Sequence, residues 1–409
     1  MTTPTSLATA PRSAARTPQV LRCSGTADFL AALPFITGFT ADDSLILVLF
    51  SGRRASNAVR FNLPEKSDPR GVIPLIDAIC TMLVETGAGA ERPAVVLTCT
   101  ETFAAAGGVP WRRFARILQR RIRHEGWELR EFAVVAPDGW AGLLDSEERG
   151  LRRPLDEIRQ SPVAAQARET EGDPRRLDEL GLLPEADPIR SSAVLAQLAE
   201  LDRCASGPTS YEPSAPWRHG VARLAESCFG SEDLADPREL EARLCARLIR
   251  ASESSETWLV VALTAVEPWE AVVGLLESVA AAYPGPLPTE LPTPESNTNG
   301  DGEFPAPSIR LILSVTSEVL PDPVRLDRVI SVLGEVAAHA PQTRRSGLLA
   351  LLAWCWWIRG LQTVAVRLAE ESLEIDAQNP VGQMVDRLVA TPPRWLIGRF
   401  PFAPAEDQP

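Results

Sequence analysis

The first 150 residues alternate between apolar runs of strand length and segments whose apolar residues recur at helical spacing. Ser44–Phe50 (SLILVLF) is an unbroken apolar run, as suits a strand in a sheet covered on both faces. Ser51-Gly52-Arg53 turns the chain, Ala58–Leu63 returns as a second strand, and Pro64 ends it, so a hairpin is expected. Gly71–Glu85 reads as a helix with Ile73, Ile76, Ile79, Cys80 and Leu83 along one face. Ala94–Thr100 and Leu129–Ala136 read as strands, Pro110–His124 between them as a helix, and Trp140–Leu144 as a last strand pairing back after the Pro137-Asp138-Gly139 turn. Ahead of the first strand, Thr26 is expected to cap a helix that carries Phe29, Leu30 and Leu33 and stops near Gly38. This order predicts an α/β domain with a mixed sheet and flanking helices over 20–150.

Beyond residue 150 the helical period takes over. Helices are expected at Pro162–Arg168, Ser191–Cys204, Pro237–Ala251, Trp258–Ala282 and Leu326–Ala340. Residues 284–308 hold seven prolines and no apolar periodicity, which marks a disordered linker, and 1–19 reads as a disordered tail. The run 309–315 (IRLILSV) is assigned to helix. Thr343–Ile358, a turn at Gly360, Gln362–Ile375, and a third helix restarting at Asn379-Pro380 make a terminal hairpin that resembles a tetratricopeptide-type unit. The expected divisions are thus a tail (1–19), the α/β domain (20–150), a helical region (151–283), the linker (284–308) and an all-α C-terminal region (309–400).

Charge and composition narrow the classes of function. The 409-residue chain carries 54 acids against 41 bases, a net −13, which disfavours nucleic acid and anionic membranes unless a local basic patch intervenes. Seven scattered cysteines without a CxxC pair point to free thiols in a reducing, cytoplasmic setting. The N-terminus lacks the apolar run of a secretory signal. The most apolar stretch, LLALLAWCWWI (348–358), has 11 residues against the roughly 20 needed to span a bilayer, so a buried core helix is expected. No P-loop, GxGxxG, GxSxG or HExxH pattern occurs, so no catalytic residue, metal or cofactor is predicted.

Three segments together resemble one family: TADFLAALPFITGFTADDSLILVLF (26–50), SPVAAQARETEGDPRRLDEL (161–180) and LLALLAWCWWIRGLQTVAVRLAEESLEIDAQNP (348–380). They are similar to the actinobacterial domain-of-unknown-function family forty-one ninety-two. Asp28, Pro34, Gly38, Phe39, Asp43 and Ser44 match its opening motif position by position. The family's Asp-Leu-Pro after the second strand is Asn62-Leu63-Pro64 here, and its cysteine-containing segment after the Trp140 region has no cysteine in 145–160. The resemblance implies an architecture and no chemistry.

Three constellations are candidates for function. Asp28, Asp42, Asp43 and Ser44 could line one sheet edge and bind a ligand or metal, or could merely start a helix and a turn. Gly107 and Gly108 precede a helix opening on Trp111-Arg112-Arg113, a place where anions bind backbone N–H groups. That helix (WRRFARILQRRIRH) carries six arginines and no acid, and Arg112, Arg113, Arg116, Arg120 and Arg123 lie away from its apolar stripe. They could meet a protein partner, nucleic acid, or the chain's own acids. Trp354 and Trp357 share a helix face, as core or as an aromatic groove. The leading expectation is a non-enzymatic cytoplasmic binding or scaffold protein with a protein partner. The alternative is an enzyme or small-ligand or metal binder at Asp28, Asp43 and Ser44.

Overall fold

A computed structural model describes residues 21–65, 72–85, 87, 92–144, 150–205, 216–230, 236–282 and 322–390. The expected tail (1–19), linker (284–308), the 309–315 segment and everything past 390 lie outside the described residues. The chain forms two compact units, Met1–Cys80 with Ala88–Arg175, and Thr81–Gly87 with Arg176–Pro409.

The first unit is built on a five-stranded mixed sheet. Its strands are β1 (Ser44–Ser51), β2 (Arg54–Asn62), β3 (Ala94–Thr98), β4 (Glu131–Ala136) and β5 (Gly139–Gly142), in the spatial order β2-β1-β3-β4-β5. Its helices are α1 (Thr26–Thr37), α2 (Val72–Glu85), α3 (Phe103–Ala106), α4 (Arg112–His124), α5 (Asp156–Arg159) and α6 (Pro162–Glu171). β1 pairs antiparallel with β2 and β3, β3 runs parallel to β4, and β5 returns antiparallel. Hence β2, β3 and β4 point one way. The links through α2 and α4 step across the sheet in the same sense, and right-handed crossovers of one sense lie on one face. Arg121 on α4 approaches Asp77 on α2 to 3.9 Å, as neighbours on that face should. α1 covers the other face, packing Phe29, Leu30 and Leu33 on Ile46, Val48, Phe50 and Val96. Leu45, Leu47 and Leu49 alternate to the opposite side and are fully buried. Coverage on both faces is why β1 reads as a continuous apolar run.

Two helix starts differ from expectation. Gly25, not Thr26, occupies the cap of α1, and the Thr26 hydroxyl donates instead to Glu131 at 2.8 Å. α4 begins at Arg112 rather than Pro110, because Trp111 sits at its cap in the left-handed region (φ 56°), and residues 103–106 form a separate short helix that Gly107 closes at φ 61°.

In the second unit the described residues from Pro188 onward form helices only. They are α7 (Pro188–Ala205), α8 (Pro216–Phe229), α9 (Ala242–Ala251), α10 (Ser255–Val266), α11 (Trp269–Ala282), α12 (Pro323–His339), α13 (Ser346–Ile358), α14 (Gln362–Ile375) and α15 (Pro380–Val389). α8 was not anticipated. The single helix expected over Trp258–Ala282 is two, since Pro268 drives Glu267 into an extended conformation (φ −128°, ψ 151°). α13 packs against α10, α12, α14 and α15, so it is apolar on every side. Of Leu348–Ile358 only Trp356 is not fully buried. No helix among the described residues is long and apolar enough to cross a membrane. At Gly347 a Cβ would fall 2.0 Å from the Ser252 carbonyl oxygen, and the Trp258 indole donates to the Gly347 carbonyl at 3.0 Å. Only glycine permits that approach.

Candidate functional site

At the end of the sheet where β2, β3 and β4 finish, the polar residues before β1 bond to one another. Asp43, at a left-handed φ of 42°, accepts from the Thr100 backbone N–H (2.9 Å) on one carboxylate oxygen and from the Thr100 hydroxyl (2.7 Å) on the other. Ser44 is buried. Its hydroxyl donates to the Asp42 carbonyl (2.7 Å) and accepts from Arg60 Nε (2.8 Å). Burial lowers the Arg60 pKa. The arrangement ties the start of β1 to β2 and to the loop after β3.

Asp28 is not part of this group. Thr26 bonds Glu131, whose strand position pairs with Ala94, whereas Ser44 pairs with Thr98. Four strand residues, about 13 Å, separate the two levels. The Asp28 carboxylate instead accepts from the Ser24 backbone and hydroxyl and from Ser161 Oγ (2.7 Å), the residue that caps α6. Those hydrogen bonds, Ser24's first, hold its pKa below the usual carboxylate value.

The glycine pair does not form an anion cradle. The Gly107 N–H turns to the Ala104 and Phe103 carbonyls and the Gly108 N–H to Phe103 (3.0 Å), closing α3. At the other end of α3 the N–H groups of Phe103 (2.8 Å) and Ala104 (3.2 Å) are taken by Asp138, which also meets Arg152. The Pro-Asp-Gly sequence signalled the turn but not this cap.

α4 is different. Phe114, Ala115, Leu118, Gln119 and Ile122 are buried, and Arg112, Arg113, Arg116, Arg120 and Arg123 are exposed. At 100° per residue these five arginines and His124 fall within an arc of about 120°, along about 18 Å of helix. The sixth, Arg121, lies on another side and pairs with Asp77 and with Glu125 (3.3 Å). Among the described residues none of the five has an ion pair or a side-chain hydrogen bond. The structure therefore brings together a continuous basic face that no acid among the described residues pairs with.

A family model described as Domain of unknown function (DUF4192) matches residues 27–291, well over half of the chain. The chain belongs to the DUF4192 family. No curated protein and no solved structure matches it. The DUF4192 match takes in the sheet-end residues and α4, and it ends before the terminal segment 348–380.

Outside these candidates, this DUF4192 chain holds a buried polar cluster that the sequence reading passed over. His339, at the end of α12, meets Glu335 (3.0 Å) and Ser191 on α7 (3.0 Å). Glu335 in turn pairs with Arg190 (3.2 Å), which also donates to the carbonyls of Pro237, Arg238 and Leu240. The i, i+4 spacing of Glu335 and His339 was the available signal. Trp354 and Trp357 are core, with Trp354 edge-on to Trp258 at 6.4 Å. Among the described residues no three His, Cys, Asp or Glu side chains converge as a metal site.

Proposed function

We propose that this protein is a non-enzymatic binding or scaffold protein of the cytoplasm, and that its partner is another protein. The observation that carries the reading is the exposed arginine face of α4. Five like charges on one helix face repel one another at i, i+3 and i, i+4, and Arg112 and Arg113 also oppose the positive end of the helix dipole. Such a face gains by meeting negative charge from outside. The enzyme or ligand-site alternative at Asp28, Asp43 and Ser44 has no comparable support, since both Asp43 oxygens bond Thr100 and Asp28 sits at the other end of the sheet. The terminal helices add to the scaffold reading. We take α13, α14 and α15 as a tetratricopeptide-type unit, on the Gly360 turn (φ 88°), the buried Ala365 and Ala369, and the Asn379 cap of α15. Affinity purification from the native host with mass spectrometry tests the reading. The expected result is a reproducible protein partner that a variant with Arg113, Arg116 and Arg120 changed to Gln fails to recover. A co-purifying metabolite, with no partner lost by the variant, would overturn it.

A further inference from the structure

We infer that the arginine face of α4 receives an acidic α-helix of another protein, lying along it. The inference rests on the binding-protein reading above and adds the shape and chemistry of the partner. Three observations lead to it. First, the charge is all guanidinium. Arg112, Arg113, Arg116, Arg120 and Arg123 present planar forks, which suit bidentate pairing with carboxylates. Second, the spacing is that of a helix. Arg112, Arg116, Arg120 and Arg123 advance by about 6, 6 and 4.5 Å along the axis, the steps that acids at i, i+4, i+8 and i+11 make on a facing helix. Alternate residues of an extended strand advance by about 6.8 Å and drift out of step with the arginines by about 4 Å over the face.

Third, the face lacks what a nucleic-acid surface needs. Phe114 is buried and Trp111 half-buried with its ring edge-on to Phe114 at 6.0 Å, so among the described residues the face presents no exposed Phe, Tyr or Trp ring to stack a base, and its one exposed ring is the His124 imidazole in the last turn. The net charge of −13 repels a long polyanion as a whole, whereas a short acidic helix need meet only this face.

The test uses the full chain and fluorescence anisotropy at low and high salt. One probe is a peptide of about 16 residues with glutamate at i, i+4, i+8 and i+11 on an alanine and glutamine background. The second is the same composition scrambled, and the others are random-sequence single-stranded DNA and RNA. The expected result is tighter binding of the registered peptide than of any other probe. It should weaken with salt, and at least about tenfold in R113Q/R116Q/R120Q, whose melting temperature shows it folded. Equal binding of the two peptides overturns the helix. Tighter binding of DNA or RNA, lost in the same variant, overturns the partner class and leaves the docking face standing. If no probe binds but the wild type still recovers a host protein that the variant loses, this inference fails and the scaffold reading survives. If neither occurs, both fail.

Discussion

Arg190, Arg325 and Arg344 in the helical unit each hold several partners, whereas Arg112, Arg113, Arg116, Arg120 and Arg123 on α4 hold none among the described residues. Arg190 joins Glu335 to three carbonyls in the turn just before α9. Arg325 makes a two-pronged pair with Glu226 (3.1 and 2.8 Å) and reaches the Thr264 carbonyl. Arg344 links Glu253 and Asp202, and those bonds, Glu253's first, raise its pKa above the ordinary value. These three arginines join carboxylates and carbonyls from separate helices and loops of that unit. On α4 the same residue faces outward in a row. Residue type alone does not separate the two uses. Partnering does, and it can be changed one residue at a time.

The largest effect should come from Arg190→Ala. The change leaves Glu335, 7% exposed, without its arginine and takes a donor from the carbonyls of Pro237, Arg238 and Leu240, so the urea midpoint should fall by an amount worth about 3–5 kcal/mol. A loss below about 1 kcal/mol would mean that the cluster does not clamp α7 to α12. Gly347→Ala comes next. The added methyl must push the Ser252 carbonyl away, for a loss of about 1–3 kcal/mol by thermal or urea unfolding. If the variant is as stable as the parent, the close approach of the two backbones is not a constraint.

Asp43→Ala tests whether the sheet-end group is structural. It removes two hydrogen bonds to Thr100, and a loss of about 1–2 kcal/mol is expected. An Asp43→Ala protein that is more stable than the parent would indicate a site strained for function and would reopen the ligand reading. Asp28 supplies a pH test. Its folded pKa lies below the unfolded one, so the stability it contributes is present above the unfolded value, near 4, and disappears as pH falls through the lower folded value. Ser161→Ala should shrink that acid-dependent loss, measured as urea midpoints across the acid range. An unchanged slope would remove the role given to the Ser161 bond.

The smallest effect is the most informative. Changing Arg113, Arg116 and Arg120 to Gln should leave the melting temperature unchanged or slightly higher, because each like-charge pair at i, i+3 or i, i+4 costs only a few tenths of a kcal/mol. A clear fall in melting temperature would put these arginines in the same class as Arg190 and withdraw the docking face.

The apolar pattern of this chain by itself determined most of its elements. β1, the β1–β2 hairpin, β3, β4 and the terminal hairpin follow from period and turn residues, because burial on one or two faces leaves its mark directly on the order of side chains. The six-arginine run and its buried stripe were equally plain. Two misses had left signals in the sequence: α8 carries Trp217, Val221, Leu224, Ala225 and Cys228 at helical spacing, and Pro268 marks the break between α10 and α11. Only the tertiary structure decided the fate of the candidates. It put Asp28 at one end of the sheet and Asp43 at the other, turned the Gly107 and Gly108 N–H groups inward, and drew Ser191, Glu335 and His339 together from positions up to 148 residues apart. The reason is physical. Periodicity reports which side of an element is buried, but which polar groups meet depends on strand register and helix placement, and those are set by the packing of the whole unit.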